Sequence, residues 1–253
     1  MYATITVHLV SLFSLRAPTT NAFTARTLPC PTPAALKLAL LAKLIERDAP
    51  GQAPDAIAAL AQRHLDWLAP LSVGWAPPPY LTISAATLTI IKEDNGKTPL
   101  IRSVGIREYA HFDEPFGLTL GPITDEAQRA DLADALLRLR ALGVAESLIQ
   151  PAGPPTWSLD APEGYTWLTE DTENTENTPE GQTTRRAGEA VVLDDLGRAP
   201  SFERLSLYRP VEAAFVPRLG EDRRRTIVTL PLRQRRQDLT GRTLERLVDA
   251  PQQ

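Results

Sequence analysis

The sequence predicts an α+β fold, with a first domain over residues 1–150 and an irregular β-rich region over 151–253. Three observations predict it. Apolar and polar residues alternate over 2–13 as in a half-buried strand. Leucines recur at helical spacing over 33–47. Beyond Pro151 these patterns give way to prolines, a polar low-complexity stretch and short apolar runs.

Length and composition indicate a globular protein. The 253 residues are 43 % hydrophobic and 23 % charged, which is ordinary for a folded chain of one large or two small domains. With no leader pattern and no apolar run of about 18 residues, we expect a cytoplasmic protein without membrane contact. The single cysteine, Cys30, excludes an internal disulfide and a multi-cysteine zinc site, and we expect neither a metal nor a cofactor.

The N-terminal elements follow from local signals. The alternation over 2–13 predicts a strand, and closely spaced prolines then hold the chain extended. Thr32 is a suitable cap for the helix over 33–47, with Pro33 at its first position. A second helix is predicted over about 54–68.

A β-hairpin follows these helices. Apolar β-formers over 80–92 and 99–109 flank a turn that contains Asn95 and Gly96, the pair that two-residue hairpin turns prefer. Each run has the length and composition of a strand. The sequence therefore predicts two antiparallel strands joined by a tight turn.

The first domain closes with a strand, a helix and a strand. A short strand is predicted over 116–120, and a helix over 124–142 begins at the cap Thr124 and ends at Gly143. A further strand begins at Leu148. The resulting order is a βαββαβ plan with insertions, the ferredoxin-like (RRM-like) arrangement.

The C-terminal region is predicted to be less regular. Residues 169–184 are low in complexity and have nothing to bury, so this acidic loop is expected to be disordered. Short strands are predicted after it. They cover Ala190–Leu193, Leu205–Tyr208, Ala214–Val216 and Thr226–Leu230.

Charge is segregated along the chain although the net value is only −4. Residues 158–183 hold seven acids and no Lys or Arg, whereas 184–253 hold 14 arginines, no lysine and 10 acids. This pattern indicates a basic face and a separate solvated loop. Arginine clusters at 223–225 and 233–236 flank one strand and suit a phosphate backbone, although a solvated face is the usual role of such runs.

Basic residues beside the first strand and on the hairpin are candidate RNA contacts. Arg16, Arg26 and Lys37 share one strand–loop–helix unit, where a base can stack on Phe23 while an arginine binds phosphate. The alternative is a solvated loop arginine and a core phenylalanine. Further candidates flank the hairpin turn and are expected to form a basic finger; they are Lys97, Arg102 and Arg107. The alternative is that these three residues are unrelated charges on the protein surface.

Catalytic signals are weak. His111 beside Tyr109 is a possible general base for RNA cleavage, although a loop histidine without chemistry is the simpler interpretation. The acid pairs at 194–195 and 221–222 resemble metal ligands, but exposed turn acids are expected. No nucleotide-binding loop or nucleophile elbow is present in the sequence.

Several stretches together resemble the CRISPR-associated Cas-five (Cas5) family, RAMP-superfamily subunits of Cascade-type interference complexes. They are residues 13–16 (FSLR) with 26–36 (RTLPCPTPAAL), then 107–109 (REY), and the helix over 124–142 with a glycine after it. Leu28 stands where many members have tyrosine. The resemblance covers about the first 150 residues.

The resemblance implies an RNA-binding structural subunit that holds the 5′ handle of the crRNA and caps the backbone filament in antiviral defense. Its implied partners are crRNA, Cas-seven-type backbone subunits, the large Cascade subunit and, indirectly, target DNA. The hairpin at about 92–107 is the candidate thumb that kinks the guide. Because the net charge is negative, we expect weak RNA binding outside the assembly.

Two alternatives remain open. Some members of the family cleave precursor crRNA, so a metal-independent endoribonuclease that uses Tyr109 and His111 is the rival interpretation. The tyrosine, lysine and histidine set of those members is not matched here, and we therefore expect binding without catalysis. An unrelated protein-interaction domain is the third possibility.

Overall fold

The protein, represented by a computed structural model, is described over residues 1–17, 24–51, 53–94, 98–143, 147–169, 188–205, 219–238 and 240–247. Only the backbone is described at 24–25, 54, 88–94 and 98–105. The chain is a mixed α/β protein. Its elements in order are β1 (Tyr2–Leu9), β2 (Thr24–Ala25), α1 (Pro33–Asp48), α2 (Pro54–Leu68), β3 (Ser72–Ala76), β4 (Tyr80–Asp94), β5 (Thr98–Phe112), β6 (Phe116–Gly121), α3 (Glu126–Leu137), β7 (Ile149–Pro151), β8 (Thr156–Ser158), β9 (Thr166–Trp167), β10 (Glu189–Leu196), α4 (Phe202–Leu205), β11 (Arg223–Leu230), β12 (Leu232–Gln237) and β13 (Gly241–Arg246).

The first two helices lie where the sequence predicts them. Thr32 caps α1, since its hydroxyl accepts a hydrogen bond from the Ala35 amide at 3.1 Å, and Pro33 opens the first turn. α1 buries one apolar stripe, while α2 begins at Pro54 as predicted. The stripe consists of Leu36, Leu40, Leu41 and Leu44.

The third helix is shorter than the prediction of 124–142. Its cap is Asp125 rather than Thr124, because the Asp125 carboxylate accepts from the Gln128 amide at 2.9 Å. At its other end the chain leaves the helix after Leu137 and pairs with the segment that leads into β7. Leu142 is still buried, but it reaches the core from a non-helical turn.

The first sheet has the order β7-β1-β6-β3-β9, with β8 also paired to β1, and every pairing in it is antiparallel. The predicted strand at Leu148 appears one residue later as β7. β3 was not predicted, and it supplies the strand that follows the helices. The predicted hairpin therefore lies outside this sheet.

That hairpin is confirmed as β4 and β5, and it forms the centre of a second sheet of order β12-β13-β4-β5-β2. Its turn residues 95–97 lie outside the described residues. β2 pairs with β5 in parallel, and the other pairings are antiparallel. β12 and β13 were not predicted from the sequence.

β10 and β11 form a separate antiparallel pair and contain the predicted strands at 190–193 and 226–230. Leu205 belongs to the short helix α4 rather than to a strand, so this prediction was wrong at that residue. The remainder of the predicted strand at 205–208, the one at 214–216, and residues 170–184 of the acidic loop lie outside the described residues.

Residue 150 does not separate two independently packed units in the described part of the chain. β8 and β9 extend the first sheet, and β13 extends the second. Buried residues from both sides of residue 150, such as Leu36 and Leu193, belong to one hydrophobic core. Among the described residues, no helix is both long and apolar enough to cross a membrane.

Candidate nucleic-acid interface

Three segments that are far apart in the sequence meet at the edge of the second sheet. Phe13 and Ala110 of β5 exchange two backbone hydrogen bonds, at 2.8 and 2.7 Å. On the other side of the segment at 13–17, the Leu15 carbonyl accepts a hydrogen bond from the Leu28 amide at 2.9 Å. The stretches 13–16, 26–36 and 107–109 are therefore parts of one structure.

Glu108 joins these segments through two contacts. Its carboxylate accepts a hydrogen bond from the Thr27 amide at 3.1 Å, and its backbone carbonyl accepts one from the Ser14 hydroxyl at 3.2 Å. The Thr27 hydroxyl in turn accepts from the Leu15 amide at 2.9 Å. Thr27 and Ser14 are buried, so these bonds fix the backbone on either side of Arg26. Ser14, Thr27 and Glu108 all belong to stretches that the sequence analysis singled out, but no sequence pattern predicted that they position the backbone.

Three predicted arginines lie around this junction. Arg26 and Arg16 are exposed, and Arg107 is half-buried. Ala25 pairs with Arg107, and Arg16 lies opposite Thr27, so the three arginines occupy adjacent chain segments. Within the described residues, neither Arg26 nor Arg107 has a carboxylate partner. Their guanidinium groups therefore suit an external phosphate.

The side chains of the remaining predicted RNA contacts, apart from Lys37, are outside the described part of the chain. Phe23 and Lys97 lie outside the described residues, and only the backbone of Arg102 is described, opposite Ile91. Arg102 is five residues from Arg107 along β5, which corresponds to about 17 Å of strand. Of the residues predicted to form the basic finger, Arg107 therefore lies at the junction, whereas the backbone of Arg102 lies away from it.

Lys37 is not a surface residue, and the prediction that it contacts RNA was wrong. Its side chain is 0 % exposed, and its ammonium group donates to Asp195 at 2.8 Å and to the Ala69 carbonyl at 2.7 Å. Burial lowers its pKa, and the neighbouring Asp195 opposes this shift. Lys37 falls on the core face of α1 beside Leu36, where β10 packs against the helix.

Of the two acid pairs, Glu221 lies exposed in a turn as the sequence predicted, but Asp195 and Asp222 are buried. Asp195 lies in β10, is almost fully buried, and binds Lys37 together with Arg224 at 2.7 Å. Asp222 is also buried and accepts from Arg204 at 2.6 Å. Both carboxylates are neutralised by cations of the same chain. Among the described residues there is no group of three or more metal-ligating side chains.

Tyr109 and His111 lie on the same face of β5 as Arg107, because alternate strand residues share a face. His111 is exposed, and its Nε2 lies 3.5 Å from the Asp113 carboxylate. Ser84 of β4 lies opposite Tyr109. This arrangement places an imidazole and a phenol on one open surface beside the arginine junction.

One face of the first sheet is covered by Tyr165. A Cβ atom at Gly117 would lie 2.6 Å from the Tyr165 hydroxyl oxygen, and one at Gly74 would lie 3.3 Å from its Cβ. Burial raises the pKa of Tyr165. RNA-binding domains of the RRM type stack bases on such a sheet face. In this protein the Tyr165 side chain occupies that space.

In sequence, the chain is similar to the CRISPR-associated protein Cas5 of Archaeoglobus fulgidus, with 28 % identity over 152 residues, 57 % of this chain. The chain spans about 60 % of the length of this curated relative. The match confirms the predicted resemblance to the Cas5 family. No protein-family model matches the chain.

Solved structures give further likenesses. A chain of a CRISPR RNA-guided surveillance complex has 13 % identity and a TM-score of 0.45, over 97 % of this chain and 88 % of that chain. A CRISPR protein from Archaeoglobus fulgidus has 10 % identity and a TM-score of 0.36, over 98 % and 92 %. A chain of the Type III-B Cmr-beta complex bound to cognate target RNA has 10 % identity and a TM-score of 0.36, over 58 % and 62 %.

Proposed function

We propose that the protein is an RNA-binding structural subunit of a Cascade-like CRISPR effector complex, where it holds the 5′ handle of the crRNA. The observation that carries this proposal is the junction at Glu108, which fixes the backbone beside Arg26 next to Arg107. The sequence similarity to a Cas5 protein supports the same role. Handle binding, crRNA and the other subunits as partners, and the cytoplasmic location are all part of the proposal.

We further propose that the first sheet and its helices form a modified ferredoxin-like domain. The strands β1, β3, β6 and β7 alternate with α1 and α3 in strand–helix–strand–strand–helix–strand order. In the sheet these strands lie in the order β7-β1-β6-β3, all antiparallel. This connectivity supports the proposal, with α2 and the β4–β5 hairpin as insertions.

The RNA strand runs along the edge of the second sheet rather than over the first. Tyr165 fills the sheet face where an RRM-type domain would stack bases. At the junction, by contrast, exposed Arg26 and half-buried Arg107 carry charges that are available to phosphates. Because Glu108 already fixes the backbone at Thr27, RNA binding costs little further conformational entropy of the backbone there.

The outer part of the β4–β5 hairpin is the proposed thumb. β13 pairs with β4 only over residues 80–84, and β2 pairs with β5 only at 106–107. Among the described strands, residues 88–94 and 98–105 therefore pair only with each other. Seven residues of strand extend about 24 Å, which is enough to reach across a bound RNA strand.

Charge replacement at the junction tests this role. The protein is co-expressed with the neighbouring genes and a CRISPR array, recovered by pulldown, and the bound RNA is sequenced. We expect Arg26→Ala and Arg107→Ala each to reduce handle-containing RNA by about tenfold or more, since a hydrogen bond to a charged group contributes about 1.5–3 kcal/mol. The matched controls are Arg63→Ala and Arg198→Ala, each of which removes one exposed arginine elsewhere.

The outcomes separate the candidates. Uniform short RNAs that share one repeat-derived 5′ end, lost in the junction variants and kept in the controls, support the proposal. Recovery of the wild-type chain without RNA, despite expressed partners, would overturn it. Equal losses of handle-containing RNA in the control variants would show that the junction arginines act only through the total charge of the protein.

We propose that the chain binds RNA without cleaving it. The rival function, a metal-independent endoribonuclease, is favoured by the position of His111 near Asp113 on the face that carries Tyr109. Incubation of the purified protein with repeat RNA in EDTA distinguishes the two functions. Intact RNA supports the scaffold, whereas cleavage that is lost in His111→Ala would establish the nuclease.

A further inference from the structure

A β-bulge in β12 places two consecutive arginines in one cleft. Gln234 pairs with Leu244 and Arg236 with Thr243, so Arg235 is the extra residue and has no partner across the strand. In a regular strand these neighbours would point to opposite faces, but a bulge changes the direction of a side chain. Arg235 and Arg236 line one open cleft at the end of the second sheet.

The cleft combines positive charge with an aromatic ring. The Arg235 guanidinium carbon lies 5.4 Å from the centroid of the Tyr80 ring, which is a cation–π arrangement. A guanidinium stacked in this way keeps its edge free to donate hydrogen bonds. Tyr80 and Thr243 line the cleft with both arginines, and Tyr80 is 38 % exposed.

Neither arginine of this cleft forms an ion pair in the described part of the chain. Arg235 and Arg236 are exposed, and the Asp238 carboxylate interacts with Arg236 electrostatically without forming an ion pair with it. The neighbouring Glu245 binds Arg233 at 3.3 Å. The Asp238 carboxylate accepts hydrogen bonds from Thr240 and Gly241, and these bonds, followed by the smaller effect of the Arg236 charge, lower its pKa.

One carboxylate lines the cleft among the described residues. It belongs to Asp113, whose carboxylate lies 3.5 Å from the His111 Nε2. A phosphate would therefore be bound on the arginine side of the cleft, away from Asp113. The ring of Tyr80 then lies within reach of a base attached to that phosphate.

The geometry points to a second nucleic-acid site, in which β12 binds the backbone of a single strand through Arg235 and Arg236. This site is independent of the proposed handle site at Arg26. Three strand spacings, about 14 Å, separate β12 from β5 across the sheet. Contacts to phosphates and stacking on base rings do not distinguish one base from another, so the site accepts RNA and DNA of any sequence.

The test uses the full-length protein and fluorescein-labelled single strands of mixed-sequence RNA and DNA, titrated at several salt concentrations. In Arg235→Ala/Arg236→Ala, we expect binding to weaken about tenfold for both strands. The slope of log affinity against log salt should fall by about 1.4, since each phosphate contact contributes about 0.7 on a single strand. Arg63→Ala/Arg198→Ala is the matched control.

Other results would overturn the site. Arginines on an edge strand also prevent strands of different molecules from pairing. If the double variant dimerises while its affinity and salt slope stay unchanged, the arginines serve that purpose alone. Equal losses in the control, or tighter binding of a polyglutamate peptide than of the nucleic acids, would also refute it. The handle proposal is tested by sequencing the RNA recovered with Arg26→Ala from the assembled complex, so its failure is measured separately from failure of this site.

Discussion

Replacement of Lys37 by methionine removes the cation from a buried ion pair while it keeps an unbranched apolar side chain. The ammonium group donates to the Ala69 carbonyl at 2.7 Å and to Asp195 at 2.8 Å. After its removal, Asp195 still accepts from Arg224 at 2.7 Å and from the Leu196 amide at 2.7 Å. The main loss is then the donor to the Ala69 carbonyl, which costs about 1–3 kcal/mol.

The partner substitution, Asp195→Asn, should be more damaging. Lys37 is 0 % exposed and would keep its charge with no anion beside it. An uncompensated buried charge costs about 3–5 kcal/mol, so the free energy of unfolding should fall further than in Lys37→Met. Arg224 loses the same anion, but its side chain is 25 % exposed and can be solvated.

The pH dependence has a definite sign. Burial lowers the pKa of Lys37 from its ordinary value of 10.5, and Asp195 opposes this shift. In Asp195→Asn the opposing charge is absent, so the folded pKa falls further. Between that folded value and 10.5 the unfolded chain binds more protons than the folded chain. The stability of Asp195→Asn should therefore rise as the pH increases through this window.

Urea unfolding, followed by tryptophan fluorescence at neutral and at mildly alkaline pH, measures both effects. The expected order of stability is wild type, then Lys37→Met, then Asp195→Asn, and the gap between the two variants should narrow at alkaline pH. A Lys37→Met protein of wild-type stability that had lost RNA binding would refute this account. It would show that Lys37 faces the nucleic acid after all.

Three further substitutions probe the elements that support the site. Glu108→Gln removes the negative charge of the carboxylate that accepts a hydrogen bond from the Thr27 amide. RNA affinity in the assembled complex should fall, while the free energy of unfolding in urea should change by only about 1 kcal/mol. A larger stability loss without an affinity loss would contradict a positioning role. Gly117→Val forces Tyr165 off the first sheet, and calorimetry should show about 1–3 kcal/mol of destabilisation. An unchanged melting temperature would show that Tyr165 moves freely. Thr32→Ala removes the cap of α1 and should cost about 1 kcal/mol in urea unfolding; Thr32→Ser, which keeps the hydroxyl, is its control.

The elements predicted most closely are those whose signals are local. α1 and α2 begin at Pro33 and Pro54 as expected, because a cap, a proline and an apolar stripe lie within each helix sequence. The β4–β5 hairpin is equally local, since its two strands end and begin close together in the sequence, at Asp94 and Thr98. In contrast, the end of α3 depends on the pairing of Ala141 with Leu148, which its own periodicity does not reveal.

The missed strands depend on distant partners. β3 contains Gly74, which weakens a strand signal, yet the position needs a glycine because a Cβ there would lie 2.5 Å from the Thr119 methyl group. β12 carries five exposed polar residues in succession after Leu232. Its place in the sheet comes from β13, which pairs in turn with β4, far earlier in the chain.

Distant contacts also decide which predicted cations remain available to a phosphate. Lys37 and Arg224 both form ion pairs with the carboxylate of Asp195, a residue that is remote from α1 in the sequence. These two cations are therefore already paired within the protein. Within the described residues, no such carboxylate reaches Arg26 or Arg107. A basic residue in a sequence is therefore only a candidate, and the position of the nearest acid in the fold separates a core ion pair from a nucleic-acid contact. By this criterion the candidate interface consists of the Glu108 junction and the β12 cleft, and it excludes α1.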